Sequence, residues 1–170
     1  MTLSRPKCFQ RPATIADAPV VQGVARRVQE KLTRRGSPQQ IVGYDAQNLA
    51  SGIRNGYFSV LETSDNPFGG AFMEPVTPER FPQIGGWGVA DANRPLWFLY
   101  GLVIDPVWQG QGWGLVLLQG LCRQAAPGIL TLDCWAGNKR LRRFYTDAGF
   151  CLHGEFPEND YRIAVFTWGR

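Results

Sequence analysis

Hydrophobic positions change period several times along the chain, and each change marks an element. A weak strand over 8–11 is cut short by Pro12. Val20, Val24, Val28 and Leu32 then recur every four residues, the spacing of one helix face. That helix is expected to start from a cap at Asp17, carry Pro19 in its first turn and stop at Gly36 and Pro38. A second helix is expected over 45–54, ended by Asn55-Gly56. A strand over 57–62 follows, then a turn over 66–70 and a partner strand near 71–74. Residues 75–95 are rich in Pro and Gly, carry Phe81 and Trp87, and show little periodicity. A loop of that length inside a compact domain is uncommon and often functional.

Beyond it the pattern becomes regular. The order is strand 96–104, helix 112–125 closed by Pro127-Gly128, strand 129–134, helix 138–148, then strands 150–156 and 161–168. The last strand alternates Tyr161, Ile163 and Val165. One helix between the strands at 96–104 and 129–134 makes that pair parallel by the crossover rule. The chain has no internal repeat and no low-complexity tail.

Composition narrows the class. A chain of 170 residues is sized for a single domain, 1–170, with a real core, and 44% hydrophobic with 19% charged residues is a globular balance. The net charge of +4 favours anionic ligands, but 14 acidic residues dilute the basic ones, so no nucleic-acid partner is expected. Cys8, Cys122, Cys134 and Cys151 lack C-x-x-C spacing and sit in apolar stretches. They read as reduced core thiols rather than a disulfide or zinc framework. His153 is the only histidine and falls in a strand, which leaves almost no material for a histidine triad or a histidine-based metal site. Arg5 and Lys7 precede no apolar stretch of signal-peptide type, and no apolar run approaches a membrane span. A cytoplasmic protein without a membrane partner is expected, as a monomer or homodimer.

The candidate chemistry begins at 102–114. An apolar strand reaches Ile104, Asp105-Pro106 ends it, and Gly110, Gly112 and Gly114 alternate before a helix starting Leu115-Val116. Helix starts carry unpaired N–H groups and the positive end of the dipole, and glycines let the backbone approach an anion, so a diphosphate is the natural ligand. No Lys follows at P-loop spacing, and the dinucleotide fingerprint fails because Leu115 stands where glycine is needed.

What remains, Gln109-x-x-Gly112-x-Gly114, is similar to the acyl-CoA-binding signature of the GNAT superfamily of N-acetyltransferases. A second segment matches independently. Strand 130–135 is followed by Asn138, a helix carrying Tyr145, and Gly149-Phe150, in the superfamily's order and spacing. At lower specificity the resemblance runs over 9–168. It implies an α+β fold: one mixed sheet of about six to seven strands flanked by about four helices, splayed between the strands at 96–104 and 129–134. A pantetheine arm would enter the gap. Backbone groups of the Leu102-Val103-Ile104 strand would bond its amides, above all those of Leu102 and Ile104. The turn Gln109, Gly110, Gln111, Gly112, Trp113, Gly114 would hold the pyrophosphate, and Asn138 the pantetheine arm. Trp113 is bulkier than the aliphatic residue usual there. The co-substrate implied is acetyl-CoA, with no metal.

Transfer of an acetyl group to an amine needs a neutral amine and a protonated leaving thiol. A lysine-like amine (pKa about 10.4) loses about 4 kcal/mol to become neutral at pH 7, which a general base offsets in part. Asp133 and Tyr145 resemble, in their separation, the Glu–Tyr pair of the ribosomal-protein alanine N-acetyltransferases. Asp is one methylene shorter, which suits a bridging water, and a cap on the loop before Asn138 is an equal reading of Asp133. Tyr145 would protonate or hydrogen-bond the departing thiolate; its alternative is packing beside Phe144. Asn138 also serves as an ordinary helix cap. Lys139, Arg140, Arg142 and Arg143 either meet the phosphates or form a solvated face. Glu74, Glu79 and Asp91 are candidates to attract a cationic amine, and Phe81, Trp87, Trp97 and Tyr100 to wall an apolar slot. The expected activity is acyl-CoA-dependent N-acyl transfer to a primary amine of a small molecule or peptide, by direct attack in a ternary complex. The alternative is a CoA-binding regulatory module without turnover.

Overall fold

The period-two segments assemble into one seven-stranded sheet in the computed structural model, which describes residues 7–64 and 66–170. The strands are β1 (Phe9–Pro12), β2 (Phe58–Glu62), β3 (Pro67–Pro75), β4 (Leu96–Ile104), β5 (Ile129–Trp135), β6 (Cys151–Glu158) and β7 (Tyr161–Trp168). They lie in the order β1-β2-β3-β4-β5-β7-β6, all antiparallel except β4 with β5. Helices α1 (Ala18–Arg34), α2 (Ala46–Arg54), α4 (Trp113–Ala125) and α5 (Lys139–Asp147) flank it, and a short α3 (Pro82–Gly85) lies within the 75–95 segment. This is the mixed α+β architecture expected from the sequence, with one additional short helix.

Alternation along β5 sorts two cores. Leu130, Leu132 and Cys134 pack with Leu117, Leu118 and Leu121 of α4 and Tyr145 of α5 on one face. On the other face Val21, Leu49 and Ile53 of α1 and α2 cover Phe58, Phe72, Phe98 and Val165. Successive strand side chains point to opposite faces, so Asp133, between Leu132 and Cys134, faces the α1–α2 side.

Four local expectations differ from the structure. The buried stripe of α1 is Val21, Val24 and Val28, one residue off at its start. Asp17 gives α1 no side-chain cap; its carboxylate accepts from the Thr14 N–H (2.7 Å) and from Arg11 (2.8 Å), which also bonds Glu62 (2.7 Å). Those bonds, Arg11's first, hold the Asp17 carboxyl below the usual range. The stretch read as a turn at 66–70 is mostly strand β3. Gly69 and Gly70 serve close packing there: a Cβ would lie 2.6 Å from Ile104 Cδ1 at the first and 2.6 Å from Phe58 Cζ at the second. Cys122 and Cys134 are buried thiols as expected, but Cys151 is exposed, because it lies on the edge strand β6.

The feature that positions the site is a split in the sheet. β4 and β5 pair only from Leu96↔Ile129 to Phe98↔Thr131. Beyond this β4 stays with β3 as far as Ile104↔Gly69, and β5 stays with β7 as far as Trp135↔Ile163. In the diverging half of β4 the register with β3 shifts between Gly70 and Phe72, giving β4 an extra residue. Gly101 takes it up with φ +61°, where a Cβ would also stand 3.0 Å from the Val42 carbonyl oxygen. Such a bulge bends the strand that carries it.

Candidate active site

A cavity of about 1330 Å³ opens along this split. Its far end is the turn before α4. A 3-10 turn over Pro106–Trp108 leads into Gly110 (φ +78°) and Gly112 (φ +82°), the residue preceding the helix. Left-handed backbone costs an L-residue roughly 1–2 kcal/mol, which glycine avoids. The turn rests on aromatic packing: Trp108 stacks on Phe68 at 4.8 Å, and Trp113 meets the same ring edge-on at 5.8 Å. Gln109 ties it to β4, donating to the Ile104 carbonyl (2.8 Å) and accepting from Lys31 (2.5 Å).

Of the residues singled out for the cofactor, Leu102, Ile104, Gln109, Gly110, Gly112, Trp113, Gly114, Asn138 and Tyr145 line this cavity. Val103 does not; its side chain packs beneath α1 against Val24, Ala25 and Val28. Gln111 is exposed at the turn and donates to the Val107 carbonyl (3.3 Å). Asn138 starts α5, its Oδ1 accepting from the Leu141 N–H (3.0 Å). The basic run of α5 divides. Lys139 and Arg140 line the cavity. Arg142 turns to Glu155 (2.8 Å) and the Ala136 carbonyl (3.0 Å), and exposed Arg143 to Asp147 (3.6 Å). Arg35 of the segment after α1 joins the cavity wall. Burial, then the charges of Arg35, Arg140 and Arg34, lower the ammonium pKa of Lys31 beside Gln109.

Asp133 and Tyr145 both line the cavity, from opposite faces of the sheet. Burial lifts the Asp133 carboxyl to about 6, with Glu158 adding to the rise and a hydrogen bond from Gln39 (2.6 Å) opposing it. Tyr145 is 5% exposed and packs against Phe144, Phe150 and Phe166. Its hydroxyl has no hydrogen-bond partner among the described residues. Burial, then the charges of Cys134 and Asp133, raise the phenol well above its ordinary value, so it stays a donor at any working pH.

The near end is formed by Phe98, Tyr100, Gln83 and the β6–β7 hairpin, where Tyr161 donates to Glu158 (2.8 Å) and Asp160 follows the strand. The acidic candidates lie elsewhere. Glu74 is buried in an ion pair with Arg80 (3.0 Å), accepts from Tyr100, and lines a separate cavity of about 660 Å³ beside α2. Asp91 pairs with Arg94 (3.3 Å), and Glu79 is exposed outside the larger cavity. Phe81 and Trp87 are core residues against Phe98. Sequence reasoning missed Gln39, Lys31 and the Glu158–Tyr161 pair. The hairpin was reachable from topology, since antiparallel β7 starts where β5 ends; Gln39 carries no local signal. Among the described residues no group of three His, Cys, Asp or Glu side chains is placed to hold a metal, and no helix is long and apolar enough to cross a membrane.

Residues 27–150 match the sequence profile of the acetyltransferase (GNAT) family, and the chain belongs to that family. Solved structures share the fold. A GNAT-family acetyltransferase of Streptococcus agalactiae superposes with TM-score 0.77 at 18% identity, covering 94% of this chain and 94% of its own. One of Listeria monocytogenes gives 0.75 at 18% identity, over 99% and 98%. NAA60 of Arabidopsis thaliana, crystallised with acetyl-CoA, gives 0.72 at 13% identity, over 95% and 99%. No curated protein matches the chain by sequence alone.

Proposed function

We propose that the protein transfers an acetyl group from acetyl-CoA to a primary amine by direct attack in a ternary complex. The observation that carries the reading is the split between β4 and β5, with a left-handed glycine turn at one end and Asp133 and Tyr145 inside it. The residues fit the co-substrate. Backbone N–H groups at the start of α4 suit a pyrophosphate, and Arg35, Lys139 and Arg140 suit further phosphates. The partnerless Tyr145 hydroxyl suits a sulfur. NAA60, which shares the fold, was crystallised with acetyl-CoA.

Acetyl-CoA supplies an acyl group activated as a thioester; the chain supplies binding and proton handling. Asp133 receives the amine proton, directly or through water. From an amine near 10.4 to an ordinary carboxylate near 3.8 that transfer is uphill by about 9 kcal/mol; to a carboxyl near 6 it is about 6 kcal/mol. Burial of Asp133 therefore removes about 3 kcal/mol of the difficulty. Tyr145 donates a hydrogen bond to the leaving sulfur. Carboxylates Asp133, Glu158 and Asp160 on the acceptor side draw an ammonium towards the gap.

The test is thiol release from acetyl-CoA across a panel of amines, run beside direct CoA binding. Turnover that falls in Asp133→Asn and Tyr145→Phe, with the Kd for CoA unchanged, is expected. Tight binding without turnover would identify a regulatory module, and absence of binding would remove the reading altogether.

A further inference from the structure

We infer that Gln39 is a positioning residue for this reaction: its amide fixes the Asp133 carboxylate in the gap between β4 and β5 and couples it to the segment joining α1 and α2. The inference rests on the proposed role of Asp133. Where β5 has left β4, the Trp135 N–H faces the gap with no strand partner, and the Gln39 Oε1 accepts it at 2.6 Å. That bond sets the amide's orientation. A backbone N–H only donates, so the carbonyl end of the side chain must face Trp135, and the NH₂ end must face Asp133, which it reaches at 2.6 Å. The contact therefore needs an acceptor oxygen on Asp133 and favours its carboxylate over its acid form.

The segment bearing Gln39 is fastened on both sides of the split. Tyr44 donates to the Gly101 carbonyl at the β4 bulge (2.7 Å), Gln22 to the Tyr44 carbonyl (3.0 Å), and the Ile41 N–H to Gln29 of α1 (2.7 Å). Gln39 makes the corresponding attachment on β5. It stands where a β4 residue would stand in a continuous sheet, and so leaves the gap open while satisfying the strand edge. The titratable groups around Asp133 are Glu158 of β6, Tyr161 of β7, Tyr145 of α5 and Cys134 of its own strand. None of them donates to Asp133, so Gln39 is the group that opposes the effect of burial.

The experiment is a carboxyl-carbon NMR titration of Asp133 in the full chain, paired with the pH dependence of kcat/KM. Gln39→Met keeps the length and removes both polar contacts. Its Asp133 midpoint should rise by about one unit, the acid limb of the rate profile should move with it, and the Kd for CoA should not change. Gln39→Glu keeps the acceptor for Trp135 and replaces the donor with a like charge, so its shift should be larger; it serves if the Met variant does not fold. A midpoint unmoved in a folded variant, with only melting temperature or KM changed, would overturn the inference. A midpoint that moves while Asp133→Asn leaves the rate profile intact supports the contact and overturns Asp133 as proton acceptor, so the two failures are distinguishable.

Discussion

At the residue scale, the role proposed for Asp133 opposes stability. In the unfolded chain its carboxyl titrates near 3.8 and in the folded protein near 6. Between those values the folded state holds a proton that the unfolded state has lost. The group's contribution to stability is therefore full below about pH 4, declines as pH rises to about 6, and is flat above. The loss reaches about 3 kcal/mol at neutral pH. Asp133→Asn, which keeps an acceptor for Gln39, should melt higher than the parent at pH 7, and the gap should close near pH 4; a gap independent of pH would show that the carboxyl is not held back by burial. The same variant should lose most of its turnover. Tyr145 behaves differently, since its hydroxyl satisfies no internal partner. Tyr145→Phe should lower kcat by about 10²-fold while melting temperature and CoA affinity stay as they are. Unchanged kcat with weakened CoA binding would give the ring a binding role alone.

At the scale of elements, the turn before α4 makes the clearest demand on sequence. Gly110 and Gly112 both hold left-handed backbone, so Gly112→Ala should cost about 1–2 kcal/mol, read as a lower melting temperature or, if the turn relaxes, as roughly 5–30-fold weaker CoA binding. Calorimetric titration with a parallel melt checks this, and a variant unchanged in both would show the turn is not needed. That turn was legible in the sequence because its constraint is local: glycine spacing, a strand before it and a helix after it. β4 and β7 were legible for the same reason, with their observed bounds at 96–104 and 161–168 as expected. Elements set by distant packing were not. Gly69 and Gly70 look like a turn in one dimension, and only pairing with β2 and β4, packed close under Ile104 and Phe58, makes them strand. Asp17 looks like a cap until Arg11 and Thr14 claim its carboxylate. Gln39 lies 94 residues from Asp133 in sequence, so nothing local announces it.

At the scale of the whole molecule, the modest net charge conceals a separation along one cavity. Arg35, Lys139 and Arg140 line it with Lys31 close by at the glycine turn, while Asp133, Glu158 and Asp160 line the hairpin end. The sheet order produces this, since β7 sits between β5 and β6 and brings the hairpin tip beside the open end of β5. In the proposed reaction an anionic co-substrate and a cationic acceptor would each be drawn to their own side, and neither would need the other's charge to bind. An acceptor with a second ammonium should gain more from the hairpin than a monoamine does. Glu158 is part-buried and Asp160 exposed, so each charge is worth about 0.5–1 kcal/mol there. Glu158→Gln with Asp160→Asn should therefore raise KM for a diamine by about 5–30-fold, raise it much less for a matched monoamine, and leave the Kd for CoA unchanged. Glu158→Gln alone should also move the acid limb of the rate profile down, opposite to Gln39→Met, because Glu158 raises the Asp133 carboxyl. Raising salt from 50 to 500 mM should weaken both substrates, with the diamine's advantage over the monoamine shrinking as the carboxylates are screened. Equal effects on diamine and monoamine in the double variant would mean that the acidic hairpin does not read the acceptor's charge.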